Sequence, residues 1–431
     1  MTDRTVRALW VGATVLAVAW GVWSYVDQLT EAMPRILRAA HGRDFASYHL
    51  AVHTLAAGDD PYDVQALATT ARSLDLRVRP HPFFYPPPFL PMMRWCLGVP
   101  LREAYRQWVV VDALCAGASL AVLGVAWRRL HPLVPIAAAL CFGTTTAIVN
   151  NQVMGQANHL VLLLVVLGIW LDGRDRPRAA GVLVGTAAML KMSPALFVAW
   201  WVLQRRWAAV GAAIGTAVGL SVLALLQVPL GLQVHFYLDV LPGFASGSYN
   251  GLSVPIHLFG NHSIPDLANA AFPGTGTVLS PTARTLSRLA TLALLAGTAW
   301  RLRRPRPDPL AHAAQASCIA VLMLLVPVYT YEHHLVWALP AVIVLAAGLG
   351  TGRLHRGWIP VVLLAAWVLG YDLQVLKRWA RVSAYGGLLE ESKFLALFTL
   401  YALTAWLGGT RAPDQGPGGG AAISQPVHVA S

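Results

Sequence analysis

The stretch FFYPPPFLPMMRWCLGVPL, Phe83 to Leu101, is apolar enough to pass for a membrane span, and the fold turns on whether it is one. It is interrupted by Pro86, Pro87, Pro88, Pro91 and Pro100 and carries Arg94. Proline removes a backbone donor and breaks a helix interior. If the stretch crossed the bilayer, Arg128 and Arg129 would lie outside, and every later basic loop would be inverted against the inward bias of Lys and Arg. The stretch is therefore read as a helix or hairpin lying in the outer membrane interface.

The rest of the chain supports that frame. It has 431 residues, of which 56% are hydrophobic and 12% charged, against about a quarter charged in soluble domains. Mean hydropathy is +0.55. Apolar runs near the ~20 residues that cross a bilayer recur throughout. The expected fold is all-α and polytopic, since a barrel would show short alternating strands. Twelve spans are expected, near 8–26, 107–127, 133–149, 158–171, 179–190, 194–203, 208–228, 285–300, 312–327, 335–350, 358–376 and 394–408. The segments 179–190 and 194–203 are short and suit tilted or broken helices around a cavity. The N-terminal run LWVGATVLAVAWGVWSYV has a cleavage-like Ala19, but it stays apolar through Val26, which suits a retained span.

With Arg4 and Arg7 inside, the inner loops are WRRLHP, DGRDRPR, QRRW, RLRRPRPD and TGRLHRGW, all short and basic. These loops account for most of the net charge of +12 and argue against a nucleic-acid partner, which needs a basic patch on a polar fold. Residues 1–410 read as one integral membrane domain, with large outer loops at 27–106 and 229–284. The Gly/Pro-rich tail, 411–431, is expected to be disordered and cytoplasmic. Cys96, Cys115, Cys141 and Cys318 form no CxxC pair and read as small apolar residues.

This topology gathers the unusual polar residues on the outer side. They are Asp44, GDDPYD (Gly58–Asp63), Tyr85, NNQVMGQANH (Asn150–His159), Lys191, SYNGLS (Ser248–Ser253), YTYEHH (Tyr329–His334) and Asp372. Each has two readings. Asp44 opens a helix-like stretch and serves as an N-cap or as a general base. Asp60 belongs to a turn or touches an acceptor. Tyr85 is an interfacial aromatic or shapes a groove for a lipid phosphate. Gln156 and Asn158 are loop amides or partners of sugar hydroxyls. Lys191 snorkels or neutralises a phosphate. Glu332, His333 and His334 enter an apolar run, which is costly for polar filler. Adjacent histidines on a helix do not share a face, so no metal is expected there. Asn250, Asp112 and Asp372 are weaker candidates, with Asp112 and Asp372 expected to pair with span arginines or with each other.

The order of these pieces carries a resemblance. Asp44-Phe45 with Tyr48 is followed by Gly58–Asp63, then Phe84-Tyr85-Pro86-Pro87, then Gly155-Gln156-Ala157-Asn158, then Lys191-Met192-Ser193-Pro194, then His333-His334. Over roughly residues 40–340 this resembles glycosyltransferase family 87 of the GT-C superfamily. Two departures stand out: Asn151-Gln152 precedes the Gly-Gln-Ala-Asn turn as an apparent insertion, and Tyr331-Glu332 precedes the histidine pair.

The resemblance implies an integral membrane enzyme using a polyprenyl-phosphate sugar. Asp44 would be the catalytic base of a single inverting displacement, which needs one carboxylate where glycosidases use two. Lys191, His333, His334, Glu332, Asp60, Tyr85, Gln156 and Asn158 would contact substrate. The expected donor is polyprenyl-phosphate mannose, with arabinofuranose second, and the acceptor is a lipid-linked or envelope glycan. No metal or other cofactor is expected. The site would face outward from the plasma membrane. The alternative from another class is a lipid-linked-sugar transporter or flippase, which would place ionisable residues at mid-membrane and show internal repeats.

Overall fold

A computed structural model of the chain describes residues 3–38, 43–78, 80–246, 256, 260–274, 278–371, 373–382 and 386–410. Asn250 with its surrounding SYNGLS run, Asp372 and the tail 411–431 lie outside the described residues. Every described regular element is helical. The first is α1 (Asp3–Arg38), followed by α2 (Arg43–Ala56), α3 (Val64–Ser73) and α4 (Phe89–Met92). Next come α5 (Leu101–Trp127), α6 (Leu133–Thr144), α7 (Thr146–Met154) and α8 (Asn158–Asp172). Then α9 (Pro177–Leu190), α10 (Ala195–Leu203) and α11 (Trp207–Ala224) lead into the C-terminal half.

Among the described residues, four helices are long and apolar enough to cross a membrane: Asp3–Pro34, Leu101–Trp127, Trp207–Ala224 and Glu332–Gly350. A fifth results if α6 and α7, bent by 50°, count as one broken span. Other expected spans coincide with shorter apolar helices, among them α8, α9, Pro309–Leu325 and Arg356–Gly370. Helix length among the described residues therefore supports a membrane protein without fixing twelve crossings. α1 also continues well beyond the expected end at residue 26, to Arg38. Val11, Val15, Leu16 and Trp23 on α1 are exposed, as a lipid-facing surface requires.

Small residues bring the helices together. A Cβ on Gly181 would sit 2.3 Å from Ala209 O, and one on Gly185 would sit 2.5 Å from Ala213 O. These glycines, four apart on α9, let α11 approach backbone to backbone. That is how helices associate where lipid offers no hydrophobic drive.

The stretch that opened the analysis, Phe83–Leu101, does not form a long surface helix. It makes one short helix, α4, and a 3₁₀ turn at Arg94–Cys96. Phe83, Phe89, Leu90, Met93 and Cys96 are buried, and the Phe89 ring meets Tyr48 of α2 at 4.9 Å. The prolines that exclude a span wedge the segment into the core beside α2.

At the other end of α8 from Asn158 stands Asp172, whose carboxylate takes Arg206 at 2.5 Å and His312 at 2.9 Å. Helix α8 thus runs ~22 Å from the polar turn at Asn158 to a basic rim.

Candidate active site

The site is built on the turn between α7 and α8. Helix α7 stops because Gly155 adopts a left-handed conformation, φ 69°, which glycine takes at little cost. A Cβ there would also lie 2.6 Å from the Cβ of Phe45. The same glycine therefore ends α7 and lets the start of α2 press against the turn. Asp44, in the first turn of α2, lies where a helix N-terminus favours negative charge. The neighbouring Phe45 ring is fixed among Tyr48, Tyr105 and Trp108.

Two arms leave the turn. On one, Gln156 Nε2 donates to Asp44 Oδ2 at 2.9 Å. The carbonyl end of the same amide accepts from the Tyr85 hydroxyl at 2.5 Å, and the Tyr48 hydroxyl lies 2.6 Å from that of Tyr85. Burial, then the Asp44 charge, hold the Tyr85 phenol well above its ordinary range, so Tyr85 stays a donor.

On the other arm, Lys191 Nζ donates to Asn158 Oδ1 at 2.6 Å. Lys191 caps α9 in an extended conformation, and α10 restarts after Pro194. The break between the two short helices thus exposes an ammonium to the site. Burial pushes Lys191 down to about 7, and the negative charge of Asp44 opposes that fall. The two charged groups act on each other across one site. Asn158 Nδ2 also donates to the His333 carbonyl at 3.0 Å.

The imidazoles of His333 and His334 lie 4.3 Å apart, centre to centre, within reach of the Lys191 charge. His334 Nδ1 accepts from the Tyr331 backbone N–H at 2.9 Å, which leaves its Nε2 to carry the hydrogen. Asp44, Tyr85, Gln156, Asn158, Lys191 and the histidine pair are thus brought together.

Glu332 and Asp60 are engaged elsewhere. Glu332 is held by Lys393 at 2.5 Å and by His262 at 2.7 Å. Asp60 accepts from the Tyr62 backbone N–H at 2.8 Å, and its other oxygen lies 3.6 Å from His235. With Tyr62, Asp63, His235, Asp239 and Val240 it lines a groove of about 280 Å³. The expected pairing of Asp112 with a span arginine is not what the structure holds. Asp112 meets His159 Nδ1 at 2.8 Å and the Asn151 amide at 3.1 Å, because those side chains reach it from the adjoining α7 and α8. In the sequence Tyr48 stands out only as part of the motif order, without a role, and nothing there singles out His262 or Lys393. Tyr48 alone carried a local signal, one helical turn after Asp44; the others meet their partners only through the fold.

A carboxylate that can take a proton, an ammonium that can hold an anion and amides that can bind hydroxyls, in an apolar helical protein, suit group transfer at a membrane. The chain belongs to glycosyltransferase family 87, whose profile matches residues 83–327. It is 27% identical over 344 residues, 77% of this chain and 75% of the relative, to the polyprenol-phosphate-mannose-dependent alpha-(1-2)-phosphatidylinositol pentamannoside mannosyltransferase of Mycobacterium tuberculosis. It is 25% identical over 385 residues, 81% of this chain and 80% of the relative, to a polyprenol-phosphate-mannose-dependent alpha-(1-2)-phosphatidylinositol mannoside mannosyltransferase of Mycolicibacterium smegmatis.

Proposed function

We propose that this chain is an inverting mannosyltransferase that moves mannose from a polyprenyl monophosphate to a hydroxyl of a glycolipid of the phosphatidylinositol mannoside class. The observation that carries the reading is the pairing of Asp44 with Gln156 and of Lys191 with Asn158, two residues apart on one turn.

In the transfer step an acceptor oxygen attacks the anomeric carbon. The bond from that carbon to the phosphate oxygen breaks, and the electron pair leaves with the polyprenyl phosphate. Asp44 takes the acceptor proton as the new bond forms. Lys191 opposes the charge that grows on the leaving phosphate, and a phosphate leaves without needing an acid. Gln156 orients the Asp44 carboxylate, and Asn158 aims the ammonium. His333 and His334 supply donors to the phosphate or to sugar hydroxyls, while Tyr85 closes the groove beside the base. Asp60 would meet the acceptor from the groove it lines with His235, and Glu332 anchors the start of the histidine segment through Lys393 and His262.

The reading includes twelve membrane crossings with the site on the outer face of the plasma membrane. The short basic loops on the other side support that orientation.

The test is transfer of radiolabelled mannose from polyprenyl-phosphate mannose in membranes, wild type against Asp44→Asn at matched expression. Loss of transfer with donor binding kept supports the assignment. Equal activity sends the search for the base to Asp60, Asp63 and Glu332. Transfer of arabinofuranose but not mannose by the wild type replaces the sugar.

A further inference from the structure

Behind the two arms, joined to one of them through Asn158, lies a buried polar cluster whose Asp112, Asn151 and His159 the transfer chemistry does not use. Asp112 is 1% exposed, and Asn151, Asn158 and His159 are fully buried. Asn151 Nδ2 has two hydrogens. One points to the Asp112 carboxylate, with both oxygens at 3.1 Å, and the other to the Gln156 backbone carbonyl at 3.0 Å. Its Oδ1 is then committed to Asn158 Nδ2 at 2.9 Å. The two hydrogens of Asn158 go to Asn151 Oδ1 and the His333 carbonyl, so its Oδ1 can face only Lys191.

The orientation of both amides follows from the ends of this chain. A carboxylate only accepts and an ammonium only donates, so two amides between them line up in one sense. Turning either amide over would set donor against donor and leave buried polar groups unsatisfied. His159 secures the accepting end. With Asp112 ionised, the hydrogen on His159 Nδ1 goes to Asp112 Oδ2 at 2.8 Å. The 3.2 Å approach of Asn151 Nδ2 to that same ring nitrogen is then a contact between two donors.

We propose that Asp112, acting through Asn151, is a positioning residue. It orients the Asn151 amide and so sets where Gln156, which holds Asp44, stands relative to Asn158, which holds Lys191. Asn151 is the pivot, since it binds the backbone of one arm and the side chain of the other. The inference rests on the polyprenyl-phosphate reading of the site, and it explains why a carboxylate is kept in a buried helical layer where charge is expensive.

The test is a double-mutant cycle on the purified full chain in lipid nanodiscs, read as the affinity for decaprenyl phosphate. Lys191→Gln and Asp112→Asn should each weaken binding about tenfold, the scale of one charge-assisted hydrogen bond. The combined variant should bind no worse than Lys191→Gln alone. A general loss of packing would instead multiply the two effects. Asn151→Ala, carried through the same cycle, supplies the answer if Asp112→Asn does not fold. Unchanged binding in Asp112→Asn, or multiplied losses while the wild type binds normally, overturns the inference alone. A wild type that does not bind decaprenyl phosphate overturns the reading of the site and the inference with it.

Discussion

Gln156 holds Asp44 by a hydrogen bond of 2.9 Å from its side-chain amide. The carboxylate that opens α2 is thereby tied to the turn that opens α8, 112 residues further on. The tie depends on the other end of the amide, which is buried and accepts from Tyr85.

Removing that amide should damage the chemical step more than donor binding. Gln156→Ala frees the Asp44 carboxylate on one side and takes the acceptor from the Tyr48–Tyr85 hydroxyl pair, a loss on the scale of 1–3 kcal/mol. A fall in kcat of about 10- to 100-fold with a small change in donor KM is expected. Tyr85→Phe should be milder, within about fivefold, because the Tyr48 hydroxyl already lies 3.1 Å from the same Gln156 oxygen. Steady-state kinetics in nanodiscs separate the two.

The lowered Lys191 predicts an alkaline limit to activity. On the proposed reading the ammonium holds the donor phosphate; it is present below about 7 in the free protein, so kcat/KM for the donor should fall as pH rises through that value. A bound phosphate adds negative charge beside the ammonium, so the limb in kcat should sit at higher pH. Lys191→Arg should remove the limb, since guanidinium stays charged. Stability runs the other way. The unfolded chain binds the extra proton between about 7 and the ordinary lysine value of ~10.4, so the destabilisation from Lys191 fades as pH rises through that window. A pH series of rates and unfolding midpoints checks both signs.

Lys393 is 1% exposed and neutralises Glu332 just before the histidine pair. Lys393→Met leaves a buried carboxylate with His262 as its remaining side-chain partner and should cost about 3–5 kcal/mol. Combining it with Glu332→Gln should recover much of that loss, because the uncompensated charge is gone. Thermal unfolding in detergent distinguishes this coupled pair from two independent losses.

Gly155→Ala combines a strained left-handed backbone with a Cβ 2.6 Å from that of Phe45. We expect a loss of about 1–3 kcal/mol. Activity should fall further than stability alone explains, because relief requires α2 and Asp44 to move. Comparing turnover per folded molecule with the unfolding midpoint checks this.

Membrane class, all-helical fold and family are legible in the linear chain. Those depend on composition, apolar run length and the order of short motifs, all written along one dimension. Asp44, Tyr85, Gln156, Asn158, Lys191 and the histidine pair also stand out there, because polar groups beside apolar runs are conspicuous. What each of these touches depends on how the helices pack. Glu332 stands next to His333 in the chain yet is occupied by Lys393 and His262, contacts that span 61 and 70 residues. Asp112 reads as one acid in an apolar helix until folding sets it against Asn151 and His159. The bury of the Phe83–Leu101 segment was likewise decided in three dimensions, since proline content excludes a span without saying where the chain then packs. A hydrogen bond depends on distance and direction between groups, and for residues far apart in sequence only the packed helices supply both.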